Sequence, residues 1–203
     1  MKTVIKKYND VPFVSGSLVA INVIVYIICS LTGQYLYTMG GLSAFEVIFK
    51  REYGRIIWSM FLHSDVNHVF NNMLLLLFMG SMIEKEVGHL FFGIFYFLSG
   101  IGGNVCSLLY KLLTNDLSHS IGASGAVFGL DGVLLSLVLF SGRRMENVTM
   151  PKVLLMIVYS LYSGFTGSNI DNAAHVGGLI TGFLLGSILC VLMRRRWHKI
   201  SEV

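Results

Sequence analysis

The sequence predicts an all-α fold: a polytopic membrane protein, built as a six-transmembrane-helix bundle with a long, partly helical first outer loop. Three observations predict it. Hydrophobic residues make up 54% of the chain and charged residues only 13%, with a mean hydropathy of +0.70, well outside the range of soluble domains. Six apolar runs reach or approach the roughly 20 residues that a helix needs to cross a bilayer. The basic residues concentrate in alternate connections between those runs, the asymmetry that orients membrane helices. At 203 residues, the chain suits a single integral membrane domain over residues 1–203, its core near 13–193 and its tails short.

The first run, Phe13–Leu31, follows Lys2, Lys6 and Lys7. It is too long for a signal-peptide core, and Leu31-Thr32-Gly33-Gln34 is a poor small-x-small cleavage site, so an uncleaved helix is expected. Thr32–Asp65 is too long for a simple connection and rich in aromatic and apolar residues; a folded, partly helical segment in the membrane interface is expected. The second and third runs are Val66–Ile83 and Leu90–Leu113, with Glu84 and Glu86 beside Lys85 as ordinary inner-face charges. The fourth is Ser124–Ser141; the fifth, Val153–Thr166, is the shortest; the sixth is Ala173–Met193.

Six spans put both termini on one side. With the N-terminus inside, the inner segments hold Lys2, Lys6, Lys7, Lys85, Arg143, Arg144, Lys152, Arg194, Arg195, Arg196 and Lys199, and the outer ones only Lys50, Arg51, Arg55 and Lys111. Cytoplasmic termini follow from the positive-inside rule, with Trp197 as an inner interfacial anchor. The short tails suit a multi-pass protein of a bacterial plasma membrane. The formal charge of +4 does not indicate nucleic acid, because the basic residues lie between apolar runs. Cys29, Cys106 and Cys190 are expected to be buried free thiols. No spacing of Cys or His fits a metal site: His63 and His68 are five apart, not the i, i+4 pair of a helical zinc site. No metal and no cofactor are expected.

This topology gathers the polar residues of the spans into one layer below the outer surface. Ser124, in Gly122-Ala123-Ser124-Gly125, opens the fourth run; His68 and Asn72 lie in the outer part of the second, and His175 near the outer end of the sixth. Polar side chains are costly within lipid and mark function there. A serine hydroxyl needs a base to become a nucleophile, and imidazole takes and returns a proton near working pH. Gly178 and Gly182 on the sixth run, and Gly125 and Gly129 on the fourth, are each four apart. If those faces meet, close helix approach brings Ser124 within hydrogen-bond reach of His175. No carboxylate is read near either residue in sequence, nor a spare Asp or Glu in the outer layer of the spans, so a dyad is expected over a triad. His68 and Asn72, at i and i+4, share a helix face and can donate to an oxyanion together with free N–H groups of the fourth helix.

Each of these features also has a plainer use. The glycines can simply pack helices, and a membrane histidine can simply bond a neighbour. His63 and Asn71 suit interfacial polar positions, with His63 packing the long loop against a helix mouth. Asp131, seven residues beyond Ser124 and about 10 Å deeper, suits a buried acid bonded to a neighbour such as Asn104, or a group that holds water beneath the site.

His68-x-x-x-Asn72, Gly122-Ala123-Ser124-Gly125 and Ala174-His175-x-x-Gly178, in that order and at one depth, resemble the rhomboid intramembrane serine proteases. The resemblance covers the whole six-span core. It implies Ser124 as nucleophile, His175 as base, and His68, Asn72 and the Ser124 amide as oxyanion donors. It implies substrates that are themselves transmembrane proteins, cut near the outer end of their helix within the lipid bilayer. It further implies a Trp-Arg pair in the first loop, where Arg55 matches and Gly54 stands at the partner position, and Phe128 takes a place where some members carry Tyr. Two other classes are the alternatives: a catalytically silent relative that binds transmembrane helices as chaperone or adaptor, and a small transporter. A binding protein needs neither Ser124 nor His175, and the polar groups do not continue through the midplane as a transport path requires.

Overall fold

A chain this apolar satisfies its backbone in lipid only by closing its hydrogen bonds within each segment, which means helices. The computed structural model describes residues 11–33, 35–141, 148–165 and 170–201, with the backbone alone at 165 and 194–201. Its long helices are α1 (Phe13–Thr32), α2 (Val66–Val87), α3 (His89–Thr114), α4 (Ser124–Phe140), α5 (Met150–Phe165) and α6 (Asn172–Ser201). Among the described residues there is no strand, only an isolated bridge between Leu42 and Ser120.

All six expected helices are present. Four of them, Phe13–Thr32, Val66–Val87, His89–Thr114 and Asn172–Met193, are long and apolar enough to cross a membrane; α4 and α5 are shorter apolar helices. At 1.5 Å per residue the 17 residues of α4 span about 26 Å, less than the roughly 30 Å of a hydrocarbon core. α4 can be short because other helices cover it: Gly125 to Leu134 is buried without a break. Lysines and arginines of the expected topology at positions 2, 6, 7, 143 and 144 lie outside the described residues, as does Thr166.

The core is a seam between α4 and α6, with α3 packed against both. A Cβ on Gly178 would meet the backbone of Gly125, one on Gly182 the carbonyl of Gly129, and one on Gly132 the backbone at Leu179 and Phe183. The two backbones touch because no side chain stands between them, the close approach anticipated from the glycine spacing. Gly103 of α3 faces the Ala174 carbonyl and the Gly125 Cα in the same way.

Two charged residues behave differently from expectation. Glu84 is not a surface charge but fully buried. Its Oε1 accepts from the Val14 N–H at 2.9 Å and its Oε2 from the Ser15 N–H at 2.8 Å, with His89 Nδ1 at 2.5 Å. The physical reason is at the start of α1: Pro12 offers no capping side chain, so the orphan N–H groups of the first turn draw a carboxylate from α2. Arg55 anchors the first loop without a tryptophan beside it. Its guanidinium donates to the carbonyls of Thr38 (2.7 Å) and Gly41 (2.9 Å) and to Glu52 Oε2 (2.6 Å), while Gly54 lies against the Trp58 indole. None of the three cysteines is in a disulfide, and Cys106 is exposed although it lies against Gly177 of α6.

The loop is partly helical, as expected, with short turns at Tyr35–Gly40, Phe45–Phe49 and Arg55–Phe61. It docks on the segment that leads into α4. Leu42 and Ser120 exchange two backbone hydrogen bonds of 2.9 Å, and the Gly122 N–H donates to the Ser59 carbonyl at 2.9 Å.

Candidate active site

Three helices bring the polar residues together, and two of them begin alike. α2 is capped by Asp65, whose Oδ1 accepts from the His68 N–H at 2.9 Å; this bond and the Ser64 hydroxyl hold the Asp65 carboxyl below its ordinary range. Asp171 caps α6 in the same way, accepting from the Ala174 N–H at 2.9 Å. Both are the N-cap-to-N3 bond that Asp makes well. α4 starts at Ala123 with no side-chain cap, which leaves the first-turn N–H groups at Ser124 available to a negative oxygen.

Ser124 Oγ and His175 Nε2 lie 2.9 Å apart. His175 is buried and stacks flat on Phe128, with ring centroids 4.2 Å apart and planes within 7°. The phenyl ring therefore supports the imidazole by contact alone. Among the described residues the other imidazole nitrogen, Nδ1, has no hydrogen-bond partner. The sequence reading overlooked one carboxylate, Asp171, four residues before His175; its oxygens are taken by Ser107, Ser120 and the Ala174 amide. Serine and histidine are thus a pair, without an acid on the ring.

His68 reaches the pair through Gly122. That glycine has φ +131°, and a Cβ on it would stand 2.7 Å from His68 Nε2 and 3.7 Å from Ser124 Oγ, so only glycine fits both its backbone and its surroundings. His68 Nδ1 is 3.1 Å from the Ser64 hydroxyl. Asn72 is buried one turn further along, and its amide donates to the His68 carbonyl at 3.1 Å, which uses one of its two hydrogens. A shallow cavity beside Ser124 is lined by Ser59, Asn104, Ser120, Gly122, Gly125 and Asp171, among others.

The remaining candidates are structural. His63 is fully buried, and burial pushes its imidazole down to about 3. The neutral ring can accept at Nε2 from the Ala123 N–H, 3.4 Å away, and it meets His68 edge-on at 5.0 Å. With the Tyr37 hydroxyl on its carbonyl at 2.8 Å, His63 ties the long loop to the mouth of α4. Asn71 points to α5 instead, where its Oδ1 accepts from the Tyr159 hydroxyl at 3.0 Å. Asn104 is not the partner of Asp131: its amide donates to the Ile56 carbonyl (2.7 Å) and to Ser59 Oγ (3.0 Å). Asp131 is buried beside Ser160 of α5, and among the described residues neither Asp131 Oδ1 nor Ser160 Oγ has a partner within full hydrogen-bond geometry.

Two roles escaped the sequence reading: Asp65 and Asp171 as caps of the helices that carry the histidines. The available signal was an Asp directly before an apolar helical run. The serines and asparagine of the cavity come from the loop, α3 and the α3–α4 connection, and no local pattern unites them.

Fold and site together define a helical membrane protein with a serine–histidine pair at the mouth of a glycine-packed helix seam. A family model described as the Rhomboid domain matches residues 50–192, and the chain belongs to the rhomboid family. It is 40% identical over 164 residues to RHOMBOID-like protein 4 of Arabidopsis thaliana, covering 80% of this chain and 40% of that one. To the putative rhomboid protease YdcA of Bacillus subtilis (strain 168) it is 37% identical over 146 residues, 71% of each chain. To the rhomboid protease GluP of the same organism it is 29% identical over 185 residues, 89% of this chain and 36% of the relative. The chain thus spans less than half the length of the plant relative and of GluP.

Proposed function

We propose that this protein is an intramembrane serine endopeptidase that cleaves transmembrane-helix substrates near their outer end. In this reading it is a single six-span domain of a bacterial plasma membrane, with both termini cytoplasmic. The 2.9 Å approach of His175 Nε2 to Ser124 Oγ, at the uncapped start of α4, is the observation that carries it. His175 takes the Ser124 proton, and the serine oxygen attacks a peptide carbonyl in a locally unwound stretch of the substrate, since an intact helix has its carbonyls engaged. The oxyanion is held by His68, Asn72 and the Ser124 amide. For His68 to donate from Nε2, its Nδ1 must accept, so the Ser64 hydroxyl must turn its one hydrogen from Asp65 Oδ2 to that nitrogen. His175 then protonates the leaving amine, and water resolves the acyl-enzyme, which requires a site open to the aqueous side. Substrate enters past α5, the helix least embedded in the bundle.

The name of the rhomboid protease GluP and that of the putative rhomboid protease YdcA support the reaction class. Reconstitution of wild type and Ser124→Ala with a model transmembrane substrate tests it. Cleavage by wild type alone is expected, with a loss on the order of 10⁴-fold or more in the variant. Equal cleavage by both proteins would defeat the assignment.

A further inference from the structure

Asp171 lies outside the spans and off the reacting atoms, yet it joins three parts of the site. Its carboxylate accepts from the hydroxyls of Ser107 on α3 and of Ser120 before α4, the latter at 2.5 Å. Its other oxygen accepts from the Ala174 N–H at 2.9 Å, and its carbonyl from the His175 N–H at 3.2 Å. Ser120 stands four residues before Ser124, and Asp171 four residues before His175. The Ser120–Asp171 and Ser124–His175 bonds therefore bridge the same 51-residue separation. One is a parallel copy of the other, one step upstream on both chain segments.

We infer that Asp171 is a positioning residue that sets the register of Ser124 against His175. The inference rests on the dyad reading above. In a serine–histidine–acid triad, the acid orients the imidazole through Nδ1. Here Nδ1 has no hydrogen-bond partner among the described residues, and the orientation comes from elsewhere. Phe128 holds the plane of the ring by stacking but does not set its height along α6. Asp171 sets that height, because it pins the first turn of α6 to the segment entering α4. Ser120 is itself held by its backbone pairing with Leu42, so the brace is anchored in the long loop as well. The carboxylate does the orienting work of a third member without touching the ring.

A misplacement of about 1 Å can cost roughly 10²-fold in rate, which sets the size of the expected effect. Asp171→Ala should lower kcat about 10²-fold per folded enzyme while KM changes little. Asp171→Asn should recover most of it, because the amide oxygen still accepts from Ala174 and the amide hydrogens can donate to the two serine hydroxyls. Ser120→Ala leaves the α6 cap in place and should cost less, and adding it to Asp171→Ala should change nothing further, as expected for residues acting as one unit. Labelling of Ser124 by a fluorophosphonate, which reads the pair without a transmembrane substrate, should slow in the same order.

Wild-type kcat and labelling in folded Asp171→Ala, with Ser124→Ala inactive, would overturn the brace and leave the dyad standing. A loss that Asn does not recover, or that adds fully to Ser120→Ala, would overturn it too. If wild-type Ser124 neither labels nor cleaves, the dyad reading falls and the brace falls with it.

Discussion

The α4–α6 seam and the α5 helix lie on two sides of the same histidine, and they are held in opposite ways. Along the seam, glycines put backbone on backbone, so Gly125 meets Gly178 and Gly129 meets Gly182, and every residue of α4 from Gly125 to Leu134 is buried. α5 exposes Leu154, Leu155, Val158 and Leu161. It is joined to α2 by the Tyr159–Asn71 hydrogen bond and lies over Phe128 and His175 at Gly164. Packed interiors do not deform gradually, so parting the seam would leave backbone uncovered over several turns. Parting α5 would break the Tyr159–Asn71 hydrogen bond and uncover the side chains of Val153, Met156 and Ile157, without exposing packed backbone. On the proposed function, a reacting pair that needs fixed geometry belongs on the first kind of surface, and a path for a substrate helix on the second.

The largest test of this contrast is Gly182→Val. Its side chain must occupy the space of the Gly129 carbonyl, so destabilisation of about 3 kcal/mol or more is expected, with cleavage lost, measured as unfolding in detergent or bicelles. A variant that unfolds like wild type would mean that the seam yields. Next comes Asn72→Ala, which asks whether α2 belongs to the rigid side. A loss of about 10² to 10³ in kcat with little change in stability is expected for a missing oxyanion donor; a pure rise in KM would remove Asn72 from that role.

Tyr159→Phe deletes the hydroxyl that hydrogen-bonds Asn71 of α2. About 1 kcal/mol of stability should go, while a transmembrane substrate is cut a few-fold faster and a short soluble peptide at the old rate. Equal effects on both substrates would argue against entry past α5. The smallest effect is expected from Asp131→Asn, on the border between the two regions. The amide keeps the shape of the acid, and turnover should stay near wild type; a collapse of turnover in a folded variant would give Asp131 a part in the site.

Much of this organisation was legible in the residues. The apolar runs marked all six long helices because 3.6-residue geometry leaves lipid-exposed segments no other way to satisfy their backbone. Helix ends were harder. α2 runs on to Val87 and α6 to Ser201, because polar residues at an interface continue a helix that hydropathy alone would stop. The glycine spacing foretold the seam, since four-residue steps line one helix face. Glu84 was misread because its partners, the N–H groups of Val14 and Ser15, are about 70 residues away. Asn104 was misassigned to Asp131 for the same kind of reason: depth estimated along one helix does not say which loop covers it.

What the amino-acid order determined by itself was the class of fold and the chemical parts: helices from hydropathy, a serine and a histidine at one depth from their places in the apolar runs, a close approach from the absence of side chains. These are local properties, read within one or two turns. The tertiary structure alone decided how those parts are held. It put Phe128 flat on His175, left Nδ1 without a partner, turned Asn71 toward Tyr159, and spent Asp171 on Ser107 and Ser120. Each of these depends on the angle and height at which distant segments meet. A difference of one residue in that height, 1.5 Å along a helix, separates a hydrogen bond from none.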